Sequence, residues 1–376
     1  MSTLNDTLQK LCDVAANPAA QLNAMVAQGK KAIGCFPVYS PAELVIAAGM
    51  TPFAVWGAEM EISSAKKYFP SFYCGIAQTC LEMGLNGKLD KLSGAMIPVL
   101  CDTLKCLGQN WKVGVKNVPF IPVIHPQNRK LPAGVEFMRK QYVAIAEKLS
   151  AISGRKVDKA SLQKAIDTCN AQRAALREFS DVAALYPHLI SPAQRNAVIK
   201  SGGFMDRAEH TAAVRQIIEQ CRQQPVKEWS GHKVVTTGIL ADSPALLQVL
   251  ADNKFAVVAD EVAQESRQYR TDVPADADSF NALARQISDM EGCSVLYDPD
   301  KKRGPMIVDM VKKHGAQGVV FLMTKFCDPE EFDFPMVKKA LDAAGIPMVS
   351  VEVDQQMRSF EQARTALQTF ADVISA

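Results

Sequence analysis

Gly94-Ala-Met-Ile-Pro-Val-Leu-Cys-Asp-Thr-Leu-Lys105 is the stretch that decides the fold. Gly94 to Leu100 is a short apolar run without alternation, the pattern of a strand buried on both faces. Cys101-Asp-Thr-Leu-Lys then opens like a helix, with a thiol where a capping residue stands. Working outward, Lys31-Ala-Ile-Gly-Cys-Phe36, Phe53-Ala-Val-Trp56 and Phe120-Ile-Pro-Val-Ile124 read as further buried strands, with helices over 41–50 and 74–87 between them. Strands alternating with helices point to a parallel sheet covered on both faces.

The pattern recurs further on. His232-Lys-Val-Val-Thr-Thr-Gly238, Phe255-Ala-Val-Val-Ala259, Gly318-Val-Val-Phe-Leu-Met323 and Pro347-Met-Val-Ser-Val351 read as strands of a second block. Between the blocks, 131–228 is rich in charge and alanine at helical spacing, with surface helices over Ser150 to Ser180 and Pro192 to Gln224. Residues 3–29 form an amphipathic helical lead-in. The expected fold is therefore α/β, with two parallel-sheet domains of flavodoxin or Rossmann type and a helical domain. Its divisions are 1–30, 31–130, 131–228 and 229–376. Internal duplication of the α/β block is one explanation of the recurrence.

With a net charge of +2 and no basic stripe interleaved with aromatics, nucleic acid is not an expected partner. No apolar run reaches membrane-spanning length and the first residues lack a leader pattern, so a soluble, cytoplasmic protein is expected. In a reducing compartment the ten cysteines are not expected to form disulfides. Cys12, Cys169, Cys221 and Cys293 read as small buried hydrophobes. No Cys-x-x-Cys occurs, which argues against zinc ribbons and thioredoxin chemistry.

Three other cysteines precede helix starts: Cys74-Gly-Ile-Ala-Gln, Cys101-Asp-Thr-Leu-Lys and Cys327-Asp-Pro-Glu-Glu. In an open parallel sheet, ligands gather beyond the carboxyl ends of the strands, where Cys101 and Cys327 fall. A thiol at the positive end of a helix is expected to favour its thiolate. Three thiolates from distant parts of a chain can hold an iron–sulfur cluster and leave one iron open. The competing reading is three buried thiols beside loops, with no metal. Cys80 and Cys106 are rotated about 240° and 140° from Cys74 and Cys101 at roughly 100° per helical residue, and are expected to pack on the sheet. The alternative makes them additional ligands. Cys35, at the first strand's end, is left open.

Among other polar residues, His125 reads as a loop histidine bonded to backbone, or as a group with an electrostatic or interface role. Glu59 and Glu61 read as a solvated loop. Lys301-Lys-Arg-Gly304 reads as a solvated turn or as a patch for phosphate or an acidic partner. Arg267, Arg270, Arg358 and Arg364 are expected to pair with carboxylates such as Asp260, Asp272 and Asp354. Gly238 lacks a GxGxxG, so dinucleotide binding has little support.

Longer segments carry a resemblance. Gly34-Cys-Phe-Pro-Val-Tyr-Ser-Pro-Ala-Glu-Leu-Val-Ile-Ala-Ala-Gly-Met50 looks like the opening signature of the 2-hydroxyacyl-CoA dehydratase / benzoyl-CoA reductase family. The likeness continues through Tyr68-Phe-Pro-Ser-Phe-Tyr-Cys74, Val99-Leu-Cys-Asp-Thr-Leu104, His125-Pro-Gln-Asn-Arg-Lys130 and Lys325-Phe-Cys-Asp-Pro-Glu330, and covers essentially the whole chain. Gly108-Gln-Asn-Trp111, Ile239-Leu-Ala-Asp-Ser243, Arg270-Thr-Asp-Val-Pro-Ala275 and Asp354-Gln-Gln356 are most similar to the smaller, β-type subunit of clostridial (R)-2-hydroxyacyl-CoA dehydratases.

The resemblance implies a heterodimeric enzyme that removes water from an (R)-2-hydroxyacyl-CoA to give the (E)-2-enoyl-CoA. It implies that Cys74, Cys101 and Cys327 are the ligands of a [4Fe-4S] cluster, with the fourth position taken by water, sulfide or a hydroxyl such as Ser40. It also implies an ATP-hydrolysing iron–sulfur activator that injects one electron. The C3 hydrogen is not acidic, being β to the carbonyl; a ketyl radical anion expels the hydroxyl and leaves a radical whose C3 hydrogen is. The α subunit would hold most of the substrate, and this chain would relay or store the electron. Two other readings stay open: a benzoyl-CoA-reductase-type or double-cubane reductase subunit, whose extra thiolates only Cys35, Cys80 and Cys106 could supply, and a clusterless structural subunit.

Overall fold

The structure is a computed structural model in which residues 3–375 are described. It contains two four-stranded parallel sheets. The first is built from β1 (Ala32–Cys35), β2 (Thr51–Ala54), β3 (Gly94–Val99) and β4 (Phe120–Ile124), in the order β2-β1-β3-β4. The second is built from β5 (His232–Gly238), β6 (Phe255–Val262), β7 (Gly318–Thr324) and β8 (Met348–Val353), in the order β6-β5-β7-β8. The two orders are the same, as a duplicated architecture would have it.

The strands carry unusual proline, and the register explains how it is tolerated. Pro52 and Pro122 lie in the edge strands β2 and β4. Pro98 lies in the central β3, but pairing with β1 ends at Cys35↔Met96. Beyond that point β3 has a neighbour only on the β4 side, so Pro98 withholds no ladder hydrogen bond from β1. β2 begins two residues earlier than its apolar run suggests, because Thr51 pairs with Ala32.

Between the sheets lie the helices Pro132–Ser153, Lys159–Leu185, Pro192–Ser201 and Arg207–Arg222. The helix expected over Ser150 to Ser180 is broken. Gly154 ends the first helix in the left-handed conformation, and Asp158 starts the next with a capping box to Ser161. The expected Pro192–Gln224 helix is also divided, with Asp206 capping its second half. The lead-in is two helices, Leu4–Ala16 and Pro18–Ala27, and Leu8 and Leu11 of the first join the core of the helical segment beside Phe179 and Val214. The helix Ser279–Asp289 packs on Pro132–Ser153, and its Leu283 and Ile287 share a core with β1 and β3. Among the described residues no helix is long and apolar enough to cross a membrane.

Candidate functional site

Each of the three expected cysteines is the residue before a helix. Cys74 precedes Gly75–Leu85, Cys101 precedes Asp102–Gly114 and Cys327 precedes Asp328–Ala343. Cys101 follows β3 and Cys327 follows β7, the corresponding strands of the two sheets. The thiols are close enough to interact. A thiolate at Cys101 raises the pKa of Cys74, and those at Cys74 and Cys101 both raise Cys327. All three are half-buried and pack against one core cluster. Among the described residues no group of His, Cys, Asp or Glu is arranged to hold a single metal ion.

The expectation that helix starts favour thiolates is corrected here. Burial pushes the Cys74 thiol up to about 12 and also raises Cys101 and Cys327. The amides of Ala77 and Ile76 facing Cys74, and of Leu104 and Thr103 facing Cys101, pull the other way without closing a cap hydrogen bond. Desolvation exceeds the helix dipole because most water has been removed from the sulfurs. Three mutually repelling, desolvated thiols become thiolates together only when a strong cationic group binds them. That donor set fits a thiolate-ligated cluster.

Of the remaining cysteines, Cys80 lies near enough to Cys74 for a thiolate there to raise its pKa. Cys80 is fully buried, its Sγ 3.9 Å from the Val55 carbonyl, and so packs against the sheet as expected. Cys106 does not: its Sγ lies 3.4 Å from the Tyr73 hydroxyl, on the face toward the loop before Cys74. Cys169, Cys221 and Cys293 are buried and Cys12 is half-buried. Cys293 is more than a small hydrophobe, since it accepts from Tyr39 Oη at 2.9 Å and from Arg267 Nη1 at 3.6 Å. Ser40 donates to the carbonyls of Phe36 and Met96.

Asp102 and Asp328, from the shared Cys-Asp pairs, both act on Cys101 and on the Tyr73 hydroxyl, so the two helix starts face each other. His125, at the end of β4, is buried, and neither ring nitrogen has a hydrogen-bond partner among the described residues. The Val123 carbonyl approaches it without forming that bond, and burial holds its pKa down to about 4. The backbone-bonded loop histidine is therefore not what the fold contains.

What joins the two sheets at this edge is a lock that sequence reasoning did not assign. Gln355 donates to the Trp56 carbonyl at 2.7 Å and accepts from Thr79 Oγ1 at 2.6 Å. A side chain at Gly57, whose φ is +80°, would overlap both Gln355 and Thr79. A Cβ at Gly75, beside Cys74, would overlap the Asp354 carboxylate. The signal was the quoted Asp354-Gln-Gln; what it lacked was any hint that these residues reach across to another sheet.

The charged residues also differ from expectation. Lys301-Lys-Arg-Gly304 is not a solvated patch throughout, because Arg303 is buried and donates to Glu261, Glu330 and Thr237. Arg267 pairs with Glu261 and Glu330, and Arg270 with Glu261. Asp260 is taken by Arg195 and Asp272 by Arg177, while Arg358 pairs with Glu61 and Arg364 with Asp252. Pairing with carboxylates was foreseen, but none of the three carboxylates named for it pairs with Arg267, Arg270, Arg358 or Arg364.

With this geometry in hand, the comparisons become specific. The model of the 2-hydroxyglutaryl-CoA dehydratase D-component family matches residues 37–374. The chain belongs to that family. It is 49% identical to the (R)-phenyllactyl-CoA dehydratase beta subunit of Clostridium sporogenes, over 100% of both chains. It is 43% identical to the beta subunit of the (R)-2-hydroxyglutaryl-CoA dehydratase of Acidaminococcus fermentans, over 99% of each. It is 41% identical to the lactoyl-CoA dehydratase subunit beta of Anaerotignum propionicum, over 100% of both. The resemblance read from the sequence to the β-type subunits of this family therefore stands.

Proposed function

We propose that this chain is the β-type subunit of an (R)-2-hydroxyacyl-CoA dehydratase, a hydro-lyase giving the (E)-2-enoyl-CoA, and that Cys74, Cys101 and Cys327 together bind a [4Fe-4S] cluster. The observation that carries the reading is the electrostatic interaction of three thiols at separate helix starts, two of which, Cys101 and Cys327, follow corresponding strands of the two sheets. When bound, the cluster would supply one-electron storage or relay, the chemistry that an elimination at an unactivated C3 hydrogen requires.

The chain's own residues have definite parts in this scheme. The amides after Cys74 and Cys101 and the Glu330 N–H near Cys327 offset part of the sulfur charge. Gln355 and Asp354 hold the second sheet against the first, which fixes Cys327 relative to Cys74. Tyr73 meets Cys106, whose sulfur raises the pKa of its hydroxyl, with Asp102 and Asp328 acting in the same direction. The partners in this reading are an α subunit holding most of the acyl-CoA and an ATP-dependent iron–sulfur activator, in the cytoplasm. Phe72 and Phe332 support a protein-covered face near the thiols, being 62% and 78% exposed close to Cys74 and Cys327.

The test is iron and acid-labile sulfide per chain after strictly anaerobic purification with the co-expressed partner. About four of each, lost in Cys101→Ser and retained in Cys80→Ser, is expected for one cubane. About eight would point instead to a double-cubane reductase, and none to a clusterless structural subunit.

A further inference from the structure

One cavity among the described residues is not lined by any of the three thiols. It has a volume of about 580 Å³ and opens between the ends of β1 and β2, the helix Lys159–Leu185 and the turn leading to Arg207. Its size falls within the range of sites for small organic ligands, roughly 300–1,000 Å³. Phe36, Phe53, Trp56 and Phe204 give it an apolar wall.

Two polar groups in that wall lack their complements. Arg207 donates to the Gly202 carbonyl and forms no ion pair at contact distance among the described residues; the carboxylate it acts on at longer range, Glu43, is already held by Arg173. The other charges cancel. Glu43 is taken by Arg173, Lys200 pairs with Asp242 at 2.8 Å, and exposed Glu59 and Lys88 are opposite in sign. One positive charge is left over. Gln264 is only 8% exposed; its amide nitrogen donates to Asp242, and its Oε1 is buried with no hydrogen-bond partner. A buried acceptor without a donor is costly unless a ligand supplies one.

An unpaired guanidinium asks for a carboxylate, an orphaned amide oxygen for a donor, and an aromatic wall for an apolar group. We propose that this cavity binds a free 2-hydroxy carboxylate with an apolar side chain, its carboxylate on Arg207 and its hydroxyl donating to Gln264 Oε1. A 2-amino acid carries the same pattern, but its ammonium would enter a cavity already bearing an excess positive charge. A thioester carries no charge at the carbonyl and leaves Arg207 unanswered. None of the three thiols enters the site, although Trp56, Gly57 and Gln355 of the junction between the sheets border it, and neither Arg207 nor Gln264 belongs to that junction.

Trp56 in the wall provides the readout. Titration of the full chain with (R)-3-phenyllactate should change its fluorescence saturably, and Trp56→Phe should remove the signal. Arg207→Gln should weaken binding about 10- to 100-fold, the loss of one charge-assisted hydrogen bond, while Arg207→Lys keeps most of it. Gln264→Leu should cost about fivefold, and 3-phenylpropionate, which lacks the hydroxyl, should bind wild type and Gln264→Leu alike. No saturation by about 10 mM, an affinity unmoved in Arg207→Gln, or binding confined to the CoA thioester would overturn the assignment. The iron content of these variants should equal that of wild type, so failure here leaves the cluster reading untouched.

Discussion

The two sheets share a strand order and differ in what their carboxyl edges carry. In the first, the edge presents Cys101 after β3 and Cys74 just before the helix Gly75–Leu85, both half-buried, and an imidazole at His125 unpartnered among the described residues. In the second, Cys327 occupies the place corresponding to Cys101, and the rest of the edge is a self-compensated set of charges. Glu261 and Glu330, both fully buried, are shared among Arg267, Arg270 and Arg303, and Asp333 supplies the third carboxylate to Arg303. The helix before β7 begins at Arg303, where the helix before β3 begins after Cys74. One scaffold therefore leaves a buried imidazole without a partner among the described residues on its first edge and pairs the buried charges of its second with one another.

The largest expected effect tests whether the corresponding thiols are equivalent. Cys101→Ser and Cys327→Ser should each abolish iron binding while the chain stays folded, measured as iron per chain beside far-ultraviolet circular dichroism. Retention of full iron in either variant would break the correspondence between the edges. Next comes the closed edge. Glu330→Gln leaves Arg267 and Arg303 short of a buried counter-charge, and a loss of about 3–5 kcal/mol in urea unfolding is expected. A loss under about 1 kcal/mol, typical of an exposed pair, would mean that the network is not the closed unit described.

Acid should separate the regions. His210 lies in the helical segment, fully buried, bonded to Gln172 and the Val198 carbonyl, and burial holds its pKa down to about 4 from 6.5. The unfolded chain takes up that proton first. The contribution is complete above pH 6.5 and is lost as pH falls toward 4, by up to about 3 kcal/mol. Glu261 behaves differently. Its arginines hold its pKa near 2 against an ordinary 4.5, so its contribution is complete above 4.5 and is lost as pH falls toward 2. His210→Gln should remove about half of the slope between pH 6.5 and 4, because burial holds His125 at about 4 as well, and should leave the lower limb unchanged. A profile that keeps its slope in that window assigns the acid lability elsewhere.

The strands were legible because burial on both faces leaves continuous apolar runs, as in Gly94–Val99 and Gly318–Thr324. The three thiols were legible because the residues after them announce helix starts. β6 was read short, since it continues through Asp260 and Glu261, charges that a single sequence presents as a strand's end. Arg303 was hidden for the same reason: Lys301-Lys-Arg reads as solvent-facing, and only contacts with distant Glu261 and Glu330 make burial possible. Likewise Cys106 was placed by helical rotation, which fixes a direction but not what lies in it, here Tyr73. Whatever depends on a partner far along the chain stayed out of reach.

The smallest effect bears on how the edges are held together. Gly75 starts the helix after Cys74 in ordinary right-handed space; its need for glycine comes from Asp354, whose carboxylate occupies the place of a side chain. Gly75→Ala should cost about 1–3 kcal/mol through this overlap. Asp354→Ala removes the obstacle, so the double variant should recover most of the loss, a coupling that unfolding of the four proteins would measure. Because Asp354 precedes Gln355, which bonds to Trp56 and Thr79, pushing it away from Gly75 loosens the second edge from the first. Additive losses would mean that the helix start, and not the junction between the sheets, is what glycine protects.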